Sequence, residues 1–145
     1  MDNKLMTFEN AAFGKIRTLT IDGEPWFVAV DVCRALEIGN PTDAMRRLDA
    51  DERTLVSIEG ASNGLPVNAV NEPGLYTLIL GSRKPEAKAF KRWITHEVIP
   101  AVRKYGGYMT KSLLEQVLEN PNLIYEFARR MLEEQQKNER LRQEL

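Results

Sequence analysis

The chain has 145 residues, 43% of them apolar, with a net charge of −1 and a pI near 5.9. That suffices for one domain with a real core plus a short appendage. No apolar run nears the ~20 residues of a membrane span, MDNKLMTFEN lacks the basic and apolar regions of a secretory signal, and the single Cys33 excludes an internal disulfide and fits a reducing cytoplasm.

FGKIRTLTI alternates with period two, Ile16, Thr18 and Thr20 against Arg17, Leu19 and Ile21, and predicts a half-buried strand. Asp22-Gly23 is a two-residue hairpin signal, and Pro25 to Ala29 is the returning strand. Asp31 is the expected N-cap of a helix over 32–37 that Gly39 stops. Asn40-Pro41 pairs an N-cap with a proline at the first helical position, for a second helix to about Leu48. After the acidic DADE turn, Leu55, Ser57 and Glu59 alternate with Val56 and Ile58. With Val67 to Val70 they predict a second hairpin across a Gly/Asn/Ser loop. Pro73-Gly74 opens a short apolar helix, Leu75 to Leu80. Pro85 starts the next, with Glu86 suited to its positive end, and Gly106-Gly107 closes the region. Ser112 and Glu115 form a candidate capping box, and Asn120-Pro121 starts a polar helix that runs to the C-terminus.

Charge is unevenly spread. Residues 1–80 hold seven basic and twelve acidic side chains, net −5; residues 81–105 hold seven basic and two acidic, net +5. A local basic stripe can bind phosphates even in a near-neutral protein, because the interaction is short-ranged in salt. On a helical wheel over 82–105, Ala87, Phe90, Ile94, Val98 and Ala101 share one phase with Trp93 adjoining, the expected buried stripe. Lys88, Lys91, Arg92, Thr95 and Arg103 take the far side, with Lys84 at its edge and Arg83 just before it. Pro100 removes one ladder bond and is expected to kink or end the helix. The face is either a solvated surface or one that tracks phosphates. His96, the only histidine, reads as a surface residue.

The helix pair around Gly39 partly fits a helix-turn-helix, with Ala35 small at the crossing and Ile38, Met45 and Leu48 at packing positions. Arg34 and Asn40 do not fit the usual apolar slots. The exposed polar set would be Asn40, Thr42, Asp43, Arg46 and Arg47; Arg can pair with guanine and Asn with adenine. The alternative is a plain helical hairpin packed on the sheet.

GEPWFVAVDVCRAL, NPTDAMRRLDADER and NEPGLYTLILGSRKPEAKAFKRWITHEVIPAVRKYGGY, in that order and spacing, resemble the Bro-N domain of phage antirepressors and large-DNA-virus Bro proteins, over about residues 8–108. The resemblance implies an α+β domain that binds DNA in a prophage regulatory protein that relieves repression. The family commonly has Gly-Tyr directly after the Ala-Leu pair, where this chain has Glu37-Ile38. Such proteins often carry a further C-terminal domain, so a chain ending in a helix is read as truncated.

Ile124, Phe127, Met131, Glu134, Asn138, Leu141 and Leu145 recur at spacings of three and four, a heptad seam with two polar positions. An Asn at an a position favours a parallel homodimer; the alternative is a polar linker helix. No Gly-rich phosphate loop is present, and Cys33 and His96 cannot make a zinc site. Asp49, Asp51 and Glu52 could hold Mg²⁺ as in a nuclease, but acidic residues at a turn commonly just face solvent.

The expectation is therefore an α+β fold: a small antiparallel sheet of hairpins packed with several helices, then a long C-terminal helix. Residues 1–108 form the DNA-binding domain and 109–145 a helical linker or coiled coil. The protein is not an enzyme, needs no cofactor or metal, and works in the bacterial cytoplasm on double-stranded DNA. The DNA-binding residues are Asn40, Thr42, Arg46, Arg47, Arg83, Lys84, Lys88, Lys91, Arg92 and Arg103. The rival is a module that captures a phage or host repressor without touching DNA; the acidic first 80 residues would suit it.

Overall fold

The structure, a computed structural model, describes residues 6–10, 14–57 and 66–144. The chain packs as two compact units, Met1–Ile99 and Pro100–Leu145. Unit one is α+β. Five antiparallel strands, β1 (Met6–Asn10), β2 (Gly14–Ile21), β3 (Glu24–Val28), β4 (Arg53–Val56) and β5 (Val67–Asn71), lie in the order β1-β2-β3-β5-β4. Four helices accompany them: α1 (Ala29–Ala35), α2 (Pro41–Arg46), α3 (Glu72–Leu80) and α4 (Pro85–Trp93).

The first hairpin forms as expected. Asp22 and Gly23 both take positive φ, 52° and 81°, the mirror-image turn whose twist matches its strands. The second joins β4 to β5, setting Arg53 opposite Val70; Ile58 and Glu59 lie outside the described residues. Strand β2 is not half-buried as its alternation suggested. Ile16 and Leu19 point to opposite faces and both are buried. Ile16, Phe27 and Val70 pack with α1, α2 and α3 residues, whereas Leu19, Val28, Val56 and Ala69 form a second cluster with Trp26.

Asp31 is not an N-cap. Helix α1 starts two residues earlier, after Val28, and places Asp31 inside its first turn. Where β3 turns into α1, β2 loses its partner on that side while still paired with β1 on the other, and the Asp31 carboxylate takes the place. It accepts the Arg17 backbone N–H at 2.9 Å and the guanidinium at 2.8 and 3.0 Å. The helix also ends earlier than Gly39. Glu37 adopts φ 57°, its N–H donates to Arg34 O, and Ile38 N–H donates to Cys33 O. That is the Schellman pattern, with glutamate in the left-handed position that glycine normally takes. Asn40 caps α2 as expected, its side chain accepting from Asp43 N–H at 3.1 Å.

Helix α3 begins at Glu72, capped by Asn71, whose side chain accepts from Gly74 N–H. A Cβ at Gly74 would lie 2.8 Å from the Glu52 carbonyl, so the close approach of α3 to the 3-10 turn Ala50–Glu52 requires glycine there. After α4 the helix widens into a π turn, Ile94–Val98, before α5 (Ile99–Tyr105). Pro100 explains it. Its ring would strike the carbonyl four residues back and it has no N–H to give, so the turn opens and Ile99 N–H reaches Ile94 O. Unit two continues with α6 (Lys111–Glu119) and α7 (Asn122–Gln143), which pack together. Thr110, not Ser112, caps α6. Among the described residues no helix is long and apolar enough to cross a membrane.

Candidate nucleic-acid interface

The apolar residues of the α1–α2 pair behave as a helix-turn-helix would need. Ala35, Met45 and Leu48 are buried and Ile38 packs against their cluster. Asn40, Thr42, Asp43, Arg46 and Arg47 are exposed. The Asn40 carbonyl oxygen is occupied by the cap, which leaves its amide N–H₂ to face outward. Arg53 donates to Met45 O at 2.9 Å, closing the C-terminal end of α2.

Arg47 folds back toward the α3–α4 turn: a Cβ on Gly81 would lie 3.3 Å from its Nη1. Burial pushes the Cys33 thiol up, and the charge of Arg47 pulls against it, which places the guanidinium near α1. The α3–α4 turn in its turn holds the end of α1. Ser82 Oγ donates to Leu36 O, and Lys84 Nζ donates to Ala35 O, each at 2.8 Å. A cation at a helix C-terminus is favoured by the helix dipole as well as by the bond. Two basic segments 35 or more residues apart in sequence, Arg46-Arg47 and Arg83-Lys84, are thus brought to one place. Lys84 is half-buried and engaged there, while Arg83 is exposed.

On α4, Lys88, Lys91 and Arg92 are exposed and Ala87 is buried, as the wheel predicts. The rest of the apolar stripe is less covered than expected. Phe90 is half-buried and Trp93 keeps 39% of its surface exposed. Tyr76, Phe90 and Trp93 form a ring ladder with centroids 6.2 and 5.8 Å apart. Tyr76 donates to Glu72 at 2.6 Å, a bond that raises its hydroxyl pKa. Thr95 and His96 are exposed but turned on their own helix: Thr95 Oγ1 donates to Lys91 O and His96 Nδ1 lies 3.0 Å from Arg92 O. Arg103, exposed, belongs to α5 and the second unit.

Asp49 and Glu52 are committed to each other's backbone as a capping box, Asp49 N–H donating to Glu52 Oε1 at 2.8 Å. Among the described residues no group of three or more His, Cys, Asp or Glu could hold a metal ion.

The buried pair behind α1 escaped the sequence reading. The Asp31 side chain is 4% exposed and that of Arg17 30%. Burial alone would raise the Asp31 pKa. The hydrogen bonds from Arg17 and the charges of Arg17 and Arg34 outweigh it and hold the carboxyl below its usual range. Arg34 stands 3.6 Å away and donates to Lys15 O.

An uncharacterized protein of Haemophilus influenzae is 37% identical over 89 residues, 59% of this chain and 43% of that protein. The putative Bro-N domain-containing protein 019R of Invertebrate iridescent virus 3 is 28% identical over 119 residues, 66% of this chain and 29% of the viral protein. The similarly named 201R of Invertebrate iridescent virus 6 is 27% identical over 126 residues, 72% and 30% of the two chains. This chain spans less than half the length of these relatives. No solved structure matches it. Residues 15–100 match the BRO family, N-terminal domain, across strands β2 to β5, the α1–α2 pair and the basic helix α4, and the chain therefore belongs to that family.

Proposed function

We propose that this is a DNA-binding regulatory domain of a prophage antirepressor, acting on double-stranded DNA in the bacterial cytoplasm. The observation that carries the reading is the approach of Arg47, next to exposed Arg46, to the turn that leads into α4, beside Arg83 and ahead of Lys88, Lys91 and Arg92. Arg46, Arg47 and the Asn40 amide are the candidates for base edges. Arg83, Lys88, Lys91 and Arg92 are the candidates for phosphates. Lys84 acts from behind by holding α1. Nothing in this arrangement calls for a catalytic group or cofactor, so the domain is proposed to bind rather than to react. Pairing of two chains through α7 would make a second DNA contact intramolecular, which raises avidity by about 10²–10⁴.

The test is a salt titration of duplex binding by fluorescence anisotropy. Phosphate contacts make log affinity fall linearly with log salt, and removing one contact flattens the slope by about one. Lys88, Lys91 and Arg92 changed together to Glu are expected to abolish binding. A second reading, capture of a repressor protein, is favoured by the net −5 of residues 1–80. It predicts duplex affinity that is negligible at low salt and a triple variant that still binds the repressor.

A further inference from the structure

From Met131 to Leu141 the seam of α7 is open to a partner, while Phe127 nearer its start is half-buried. Met131 and Leu141 are 57% and 50% exposed, and Glu134 and Asn138 between them are exposed too. The intrahelical ion pairs leave the seam alone. Arg129 bonds Glu126 and Glu133 at 3.0 and 2.9 Å, and at 100° per residue Arg129 projects about 160° from the seam.

We propose that the occupant of this seam is the α7 of a second copy, running antiparallel. Asn138 at an a position suggested a parallel pair, but the residues around it favour the opposite sense. In a parallel pair each a or d residue faces itself. Glu134 would meet Glu134 of the second copy, two carboxylates in one desolvating layer. Lys137 at g would flank Arg142 at e, a like-charge contact made twice. In the antiparallel alignment that sets Met131 against Leu141, Glu134 falls against Asn138 by the same arithmetic. Apolar layers then meet apolar layers. At the centre, twice over, the Asn138 amide can donate to the Glu134 carboxylate, a charge-assisted bond in place of a repulsion. The flanking g positions set Arg130 beside Glu144 of the second copy, also twice; only Lys137 meets its own kind, once. Buried polar layers and flanking charges are what set register and orientation in such coils. The two α7 N-termini would then lie about 40 Å apart at 1.5 Å per residue. This surface involves no DNA contact, so its test stands or falls apart from DNA binding.

Sedimentation of the full chain at low salt measures dimerisation, and surface charge reversal reads the sense. Arg130→Glu puts two like-charge contacts into the antiparallel pair and is expected to weaken it about ten-fold. Adding Glu144→Arg restores it. Lys137→Glu exchanges one like-charge contact for another and leaves it within about two-fold; in a parallel pair the same change would turn two repulsions into attractions and tighten it. Disulfide trapping in a Cys33→Ala background gives the second measure. A mixture of Met131→Cys and Leu141→Cys chains should cross-link only to each other. Self-cross-linking of each alone, tightening by Lys137→Glu, or a chain monomeric at every concentration overturns the proposal.

Discussion

Arg17→Met tests the account of how α1 is fixed to the sheet. The change keeps the length and most of the apolar stem but removes all guanidinium bonds to Asp31. It leaves a carboxylate that is 4% exposed, held by the residue-17 backbone N–H and by Arg34 at 3.6 Å. Removing one partner of a buried pair costs roughly 3–5 kcal/mol, because the other charge stays in the protein without compensation. Arg17 is itself 30% exposed, so water already weakens the pair, and about 3 kcal/mol is expected. Asp31→Asn should cost less, about 1–2 kcal/mol. Its amide oxygen can still accept the Arg17 N–H, and the freed guanidinium can hydrate. The asymmetry between the two partners is the prediction.

The pH dependence carries the same logic. In the wild type the folded Asp31 pKa is depressed. Its stabilisation is therefore fully present above the unfolded value near ~3.9 and is lost as pH falls through the folded value. Asp31→Asn should remove that slope. In Arg17→Met only the residue-17 backbone N–H and the charge of Arg34 still oppose the desolvation, so the folded pKa moves up and the loss of stability on the acid side shrinks. Urea unfolding followed by Trp26 and Trp93 fluorescence at pH 3, 5 and 7 measures all three curves. Equal losses in the two variants, or parallel pH curves, would refute the argument that Asp31 anchors α1 through Arg17.

Glu37→Gly should raise stability by about 0.5–1 kcal/mol, since relief of the left-handed φ exceeds the extra unfolded-state entropy of glycine; thermal melting checks it. Gly39→Ala should be tolerated, because Gly39 does not take positive φ and a Cβ there meets open space. Gly74→Ala should cost about 1–3 kcal/mol in urea unfolding, as the new methyl meets the Glu52 carbonyl, a backbone atom that cannot swing away. Trp93→Ala should cost about 2 kcal/mol by the same measurement, below the 3–5 of a fully buried ring, because 39% of Trp93 is already in water.

Where local chemistry decides, the sequence was readable. Asp22-Gly23 admits one tight hairpin, and Asn40-Pro41 is a helix start with cap and fixed φ together. The phase of Lys88, Lys91 and Arg92 against Ala87 follows from helix geometry. Asp31 differs from its expected role because two local rules compete for an aspartate ahead of an apolar run, and the deciding partner, Arg17, lies fourteen residues back on β2. Glu37 was missed for the opposite reason. Glycine is the usual helix stop and Gly39 stands close by, whereas the chain turns where Ile38 can reach the core. Thr110 and Ser112 are chemically near-equal caps two residues apart, and only the backbone distinguishes them. At the candidate interface the exposed set was legible, and the engagement of Lys84 was not. A lysine at the edge of a basic face carries no sign that a carbonyl 49 residues earlier will take it.

That one contact changes what the basic stretch does. The question a concentrated charge raises is whether it faces outward or holds the fold, and here it does both in sequence. Ser82 and Lys84 bond the last carbonyls of α1, Leu36 and Ala35, at the point where Glu37 forces the chain round. Arg47 returns from the end of α2 to the same turn at Gly81. The α1–α2 pair and the start of α4 are therefore tied at both ends of the intervening turn. A change at Lys84 would act on the placement of Arg46 and Arg47 as well as on total charge. Duplex affinity in Lys84→Gln should then fall further than one lost cation allows, while the salt slope changes by less than the one unit of a phosphate contact. A loss confined to a slope change of one would make Lys84 an ordinary phosphate ligand and remove the reason for treating the two basic segments as one surface.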